Sequence, residues 1–482
     1  MSIEHVDTLI VGAGLSGIGS AVHLRQGLPQ QSVLILEARE RLGGTWDLFR
    51  YPGIRSDSDM HTLGYCFKPW TGARAIADGP AILQYVQETA QEFGVLPLIR
   101  FGHKALSAGW DSNAARWLVS VRRLFDGVVL QVHCRFLLMC SGYYNYAHGY
   151  TPDFPGMDSF QGTVVHPQHW PKDLDYRGQQ VVVIGSGATA MTLVPEMAKQ
   201  AAQVTLLQRS PTYVVARPSR DAIADALRRV LSEKHAYALT RWKNVLTGLF
   251  FFALARRKPA LARARIVQGV AQALPAGYPV DPHFTPRYQP WDQRICLLPD
   301  ADLFGAIRKG KACMVTDTIE AIESHGLRLK SGAFLAADVI VTATGLDLLA
   351  FGGMQVSVDG EAIQVSDRLS YKGMMLSGVP NFAYVFGYTN ASWTLKSDLT
   401  GQYVVRLLRY MRRQCLDSMV PHLNDASVQP EPWVDFSSGY IQRALDRFPK
   451  QGSKKPWRLY QNYVRDLLAL RLSLIHISEP TR

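Results

Sequence analysis

Apolar runs and amphipathic stretches alternate twice, in the same order, along this chain. Thr8–Val11 is a short β-rich run of the kind that forms a strand buried on both faces. Ser16–Arg25 places apolar residues at helical spacing, and Ser32–Glu37 is a second strand-like run. Together they make a βαβ unit. The order returns at Gln180, with Val181–Ile184 as strand, Thr189–Gln200 as helix and Gln203–Gln208 as strand. The pattern predicts an α/β protein with two Rossmann-like, dinucleotide-binding units. Cys313–Thr316 and Val339–Thr342 add two more strands. Arg217–Arg265 departs from this alternation. It has a helical pattern without strand signals, and a proline-rich stretch, Pro275 to Pro290, follows it.

The turns between these elements carry chemistry. Gly12-Ala13-Gly14-Leu15-Ser16-Gly17 fits G-x-G-x-x-G between a strand and a helix, and Glu37 ends the next strand. Gly12 permits the tight turn, Gly14 admits a pyrophosphate to the backbone, and Gly17 lets helix and strand approach. Ser16 sits in the first turn, where free N–H groups and the helix dipole favour phosphate. The second copy is Gly185-Ser186-Gly187-Ala188-Thr189-Ala190, and its following strand ends in Gln208-Arg209 rather than in an acid. An acid there repels a 2′-phosphate, whereas Arg209 pairs with it, which favours NADPH; the alternative is a solvated strand-end arginine. One cradle with an acid and one with a base points to FAD plus NADPH.

Composition narrows the classes. The 482 residues are 47% hydrophobic and 19% charged, an ordinary globular balance. The formal charge of +12 admits nucleic acid, anionic lipid and phosphate-bearing cofactors as partners. Most of it lies in Arg217–Arg265, which holds 12 Lys and Arg against 3 Asp and Glu. With Phe250, Phe251 and Phe252 nearby, that segment either touches an anionic membrane or forms an amphipathic wall at the substrate entrance. No motif supports nucleic-acid binding. The six cysteines form no CxxC or Cys/His cluster, so no metal site is expected and the pattern fits a reducing compartment. The start lacks a basic leader region, and the longest apolar run, Val245–Ala255, is too short to span a bilayer. A cytoplasmic protein, with possible membrane contact, is expected. A flavin disulfide reductase needs a cysteine pair soon after the first unit; residues 38–65 have none.

Two longer motifs remain. Phe160-Gln161-Gly162-Thr163-Val164-Val165-His166-Pro167-Gln168-His169-Trp170-Pro171 fits F-x-G-x-x-x-H-x-x-x-W-P. Residues 43–57, from Gly43 through Trp46, Tyr51 and Pro52 to Asp57, fit [AG]-G-x-W-x-x-x-x-[FY]-P-[GM]-x-x-x-D. These resemble the two fingerprints of the Baeyer–Villiger monooxygenases. Pro290-Trp291-Asp292-Gln293-Arg294 and Asn390-Ala391-Ser392-Trp393-Thr394-Leu395-Lys396 are similar to the branch that includes the ethionamide-activating monooxygenase. The resemblance covers the chain up to Leu472–Arg482, which looks like translated adapter sequence.

The resemblance implies FAD, NADPH and O2, a C4a-peroxyflavin, oxidation of ketones to esters or lactones, and oxygen transfer to sulfides or thioamides. It implies Arg294 as the fixed cation of catalysis, with an ion pair to Asp292 as the structural alternative. It implies Asp57 as the carboxylate that orients Arg294, with Asp59 as the other candidate. His166 joins the catalytic set as a coupling residue on the inter-domain linker. Arg55, Thr45, Trp46, Asp47 and Leu48 are placed beside the flavin. Trp393 either covers the pocket or packs in the core. Many ketone-oxidising relatives carry lysine where Gln293 stands. The expected architecture is an FAD domain over 1–145 and 341–471, an inserted NADPH domain over 150–340 with a helical excursion at 214–283, and a non-native tail at 472–482. The alternatives are an enzyme that mainly oxygenates sulfur or nitrogen, and a non-enzymatic NADPH-binding redox protein.

Overall fold

The computed structural model describes residues 4–472, so residues 473–482 of the expected tail lie outside the described residues. Glu4–Val11 pairs in parallel with Val33–Leu36 on one side and with Val129–Met139 on the other. Side chains alternate across this strand, which therefore needs apolar cover on both faces. Ile10 belongs to one buried cluster with residues of the helices Leu15–Gly27 and Trp393–Arg413, while Leu9 belongs to another with Trp110, Trp117, Phe351 and Phe382. Val129–Met139 leads antiparallel through Arg116–Arg123 to His103–Asp111. Gln355–Val358 and Phe382–Tyr384, from far down the chain, then join the same sheet in parallel.

The second sheet has five strands, all parallel, in the order Ala312–Thr316, Gln203–Gln208, Gln180–Ile184, Val339–Thr342 and Thr163–Val165. Val339–Thr342 is thus part of the second sheet. Its run of buried apolar residues suits the interior of either sheet, and the sequence does not distinguish them. The return follows it. The chain crosses between the units at Tyr144–Gly149 and again at Leu346–Leu348, and these two crossings pair antiparallel. The cleft between the sheets lies beside this double crossing.

The excursion is shorter than expected at its start. Val214–Arg217 is a strand paired with Cys296–Pro299. Three helices follow, Ala222–Val230, Glu233–Arg257 and Pro259–Ala273. The basic charge in them is only partly solvated. Arg241 is 8% exposed and donates to the carbonyls of His61, Thr62 and Gly64 and to Asp398. Asp398 also holds His23 at 3.0 Å and accepts from the Cys66 N–H. Burial works against the Asp398 charge, but His23 and Arg241 outweigh it and hold the carboxyl below its usual range. His23, Cys66 and Asp398 approach one another closely, yet a guanidinium already stands where a metal would supply charge. This cluster fastens the middle of the excursion to the first unit.

Replacing Asp398 with Ala leaves Arg241 and His23 buried without their anion. Removing one member of such a pair costs about 3–5 kcal/mol. The expected result is a fall of roughly 5 °C or more in the thermal midpoint at neutral pH. The carboxylate's contribution is present above its ordinary pKa of about 4 and is lost as pH falls through the depressed folded value. An unchanged midpoint refutes the assignment.

Candidate active site

The first glycine turn opens on a cleft of about 490 Å³, which the second unit borders through Ala188 and Thr189. At Gly12, φ is +105° and a Cβ would lie 2.6 Å from the Cys140 carbonyl oxygen, so only glycine fits. A Cβ on Gly17 would lie 1.9 Å from the Gly12 carbonyl oxygen, which explains why the helix meets the strand there. Gly12, Gly14 and Ser16 line the cleft, whereas Gly17 packs behind them. Glu37 is 6% exposed at the cleft edge and accepts from the N–H groups of Ala13 and Arg39 at 2.8 and 2.9 Å. Burial raises its pKa, and those two hydrogen bonds oppose the rise. A free first helical turn, a backbone with room for a phosphate and an acid at the next strand end fit the pyrophosphate and ribose of a dinucleotide.

The second turn is built alike. Gly185 has φ +137°, and a Cβ on it would lie 2.2 Å from the Ala343 carbonyl oxygen. A Cβ on Gly187 meets nothing within 4 Å, so its outer side is open for a ligand. Ala188 and Thr189 line the shared cleft; Gly185, Ser186, Gly187 and Ala190 are not among its lining residues. Arg209 is exposed at the strand end. Gln208, expected beside the cofactor, donates inward to the His283 carbonyl and to Thr316 at 2.7 and 3.0 Å.

Arg294 reaches across from the second unit to Asp57 of the first, with Nε and Nη2 at 2.8 and 3.0 Å from its two oxygens. About a third of each side chain remains open to the cleft (32% and 34%). Burial disfavours the Arg294 charge, but the facing Asp57 carboxylate more than compensates and its pKa is raised. The two alternatives are occupied elsewhere. Asp292 pairs with Arg256. Asp59 caps the short helix Met60–Leu63 and accepts from Asn244. Arg55, also in the cleft, makes a second bridge to the other unit through Asp302.

Thr45 and Trp46 line the cleft, but Asp47 and Leu48 do not. Asp47, expected beside the flavin, is 2% exposed and binds Arg39, Arg41 and Arg50, which anchors the loop. Trp393 lines the cleft, and its indole N–H donates to Ser16 Oγ at 2.7 Å. His166, expected as a coupling residue, is not a cleft-lining residue. Its Nε2 donates to the Gly345 carbonyl and its Nδ1 accepts from the Gln168 N–H, both at 3.2 Å, while the ring lies where a Cβ on Gly149 would fall. Burial lowers its pKa and keeps it neutral. It therefore braces both crossings between the units.

Sequence reasoning missed Tyr143, Tyr144 and Tyr440. Tyr143 and Tyr144 meet edge to face with ring centroids 4.8 Å apart, and Tyr143 also meets Trp393 at 5.0 Å. Burial raises the pKa of all three, so they stand as neutral hydroxyls beside Arg294. The run Gly142-Tyr143-Tyr144-Asn145-Tyr146 directly after a buried strand was the available signal.

Comparison with known proteins agrees with this geometry. Residues 10–76 match the NAD(P)-binding Rossmann-like domain, and residues 76–242 match the flavin-binding monooxygenase-like family. The chain is 53% identical over 469 residues to the FAD-containing monooxygenase EthA of Mycobacterium tuberculosis, covering 97% of this chain and 96% of that protein. It is 45% identical to the probable FAD-binding monooxygenase AlmA of Acinetobacter baylyi, over 97% of this chain and 94% of the relative. The solved structure of oxidized steroid monooxygenase bound to NADP superposes with a TM-score of 0.73 at 25% identity, covering 86% and 87% of the two chains. An open structure of cyclohexanone monooxygenase, 19% identical, shares the fold with a TM-score of 0.71 over 92% and 91%. The chain belongs to the FAD-containing monooxygenases.

Proposed function

We propose that this enzyme uses NADPH and O2 to insert one oxygen atom beside a ketone carbonyl, giving an ester or lactone and water. We also infer that the same site oxygenates the sulfur of sulfides and thioamides. The observation that carries this reading is that the first glycine cradle, Ala188 and Thr189 of the second, and the Asp57–Arg294 pair border one cleft. Bound FAD, once reduced, supplies the activation of O2 that no protein side chain can provide.

The chain's own residues do the rest. Gly12, Gly14, Ser16 and Glu37 would hold the flavin dinucleotide, and Ala188, Thr189 and Arg209 the NADPH. Attack on a ketone leaves negative charge on the carbonyl oxygen. Arg294 is a fixed cation at that wall, permanently charged and aimed by Asp57. Tyr143, Tyr144 and Trp393 fill the surrounding wall with large rings and keep water from the reacting atoms. His166 fixes the crossings, so the two units keep one relation while both nucleotides are bound.

A second observation favours peripheral membrane contact. On Glu233–Arg257, Leu239, Trp242, Leu246 and Phe250 are all exposed at helical spacing, Phe250 by 63%. Exposed Lys234, Arg257 and Lys258 flank them. Among the described residues no helix is long and apolar enough to cross a membrane. This face suits the surface of an anionic bilayer, where an apolar substrate partitions.

With 18O2, a cyclic or linear ketone is expected to give an ester carrying one 18O atom, with NADPH oxidised one for one, and an aryl methyl sulfide to give labelled sulfoxide. Labelled sulfoxide without ester leaves only sulfur oxygenation, and unlabelled product refutes both. In flotation, the protein is expected to rise with phosphatidylglycerol vesicles but not with phosphatidylcholine ones, and Phe250→Glu to abolish this. Equal behaviour of the two proteins removes the membrane reading.

A further inference from the structure

The loop Tyr388-Thr389-Asn390-Ala391 forms part of the cleft wall through Tyr388 and Ala391 and leads into Trp393. Among the described residues, no backbone–backbone hydrogen bond outside helices and strands holds 388–391. What holds it comes from 70 to 80 residues further on. Gln461 Oε1 accepts from the Thr389 N–H and hydroxyl at 3.0 and 3.3 Å. Asn390 Nδ2 donates to the Gln461 carbonyl at 2.9 Å. The Tyr388 hydroxyl donates to Asp466 Oδ2 at 2.7 Å, and Lys396 Nζ donates to the same oxygen at 2.8 Å. Gln461 adopts φ +48°, a left-handed conformation uncommon for a side chain of its kind.

The same segment reaches the excursion. Tyr463 meets Trp242 with ring centroids 5.9 Å apart, and Tyr463 and Val464 pack on the cluster of Val245, Tyr388 and Leu395. Each end of the cleft wall is thus tied to the start of the last helix, Tyr463–Leu472.

We propose that residues 461–466 act as a buckle that sets the 388–391 wall of the cleft, with Gln461 and Asp466 as positioning residues for oxygen transfer. Neither faces the cleft. They act through Thr389, Asn390 and Tyr388. A wall that loosens admits water and lets the substrate shift, so oxidising equivalents leave as H2O2 instead of entering product. The inference rests on the ketone reading for its substrate but not for its geometry.

The test uses FAD-loaded enzyme carrying Gln461→Ala, and separately Asp466→Asn, which keeps the shape and an acceptor for Tyr388. Hydrogen–deuterium exchange reads the Thr389 amide directly. In Gln461→Ala that exchange is expected to rise about tenfold while FAD content stays unchanged. Both variants are expected to raise the KM for ketone about threefold or more and the H2O2 share of NADPH turnover at least about twofold, with kcat changing less. Unchanged exchange overturns the buckle. Faster exchange with unchanged KM and H2O2 share reduces it to a structural contact and also overturns the proposal. If the wild-type enzyme makes no ester, the ketone reading fails on its own, and the same KM and H2O2 comparison is made with the sulfide.

Discussion

One ion pair across the cleft organises this molecule. Arg294 comes from the second unit and Asp57 from the first, so their bidentate contact exists only when the two units hold one relation. A cation lodged in a cleft wall is costly unless it is paired, and Asp57 is the group that makes Arg294 tolerable there. Much of the surrounding structure serves to keep these two residues in register. Arg55–Asp302 bridges the units again nearby, and His166 braces both chain crossings.

The helical excursion belongs to the same logic. Its basic composition reads as surface charge, but Arg241 is spent inside, on three carbonyls and Asp398. Lys243 pairs with Asp221, and Arg256 with Asp292. Of these, Arg241 docks the excursion on the first unit, Arg256 ties it to the second, Lys243 closes a bridge within it, and the apolar stripe is left outward. From the other side the last helix holds the loop before Trp393. The cleft of this FAD-containing monooxygenase is thus closed by segments that lie more than a hundred residues apart in the chain.

What was legible in the sequence was whatever depends on local order. The glycine turns, Glu37 and the strand end at Arg209 are set by spacing within one βαβ unit; Gly12, Gly14 and Glu37 line the cleft, and Arg209 stands exposed at its strand end. Asp57 and Arg294 were legible only through a resemblance, because nothing local joins positions 57 and 294. Asp47 and Gln208 show a related limit. A polar side chain beside a cofactor motif looks like a ligand contact until its neighbours appear, and both proved to be bound to other protein groups. The tyrosine run at 143–146 was visible, but its place beside Arg294 and the Arg241–Asp398 cluster were hidden, since each is defined by tertiary packing of distant segments. Val339–Thr342 shows the same limit at the level of the fold: a buried parallel strand carries no mark of which sheet it enters.

The central claim is that Asp57 and Arg294 act as one unit, and a double-mutant cycle tests it most directly. Asp57→Ala, Arg294→Ala and the double variant are compared as FAD-loaded enzymes for the rate of oxygen transfer to ketone or sulfide. If the pair acts as a unit, Arg294→Ala loses roughly 100-fold or more, Asp57→Ala loses a comparable amount, and the double variant is no worse than the poorer single one. Losses that multiply in the double variant mean that the two residues act independently, and they contradict the account.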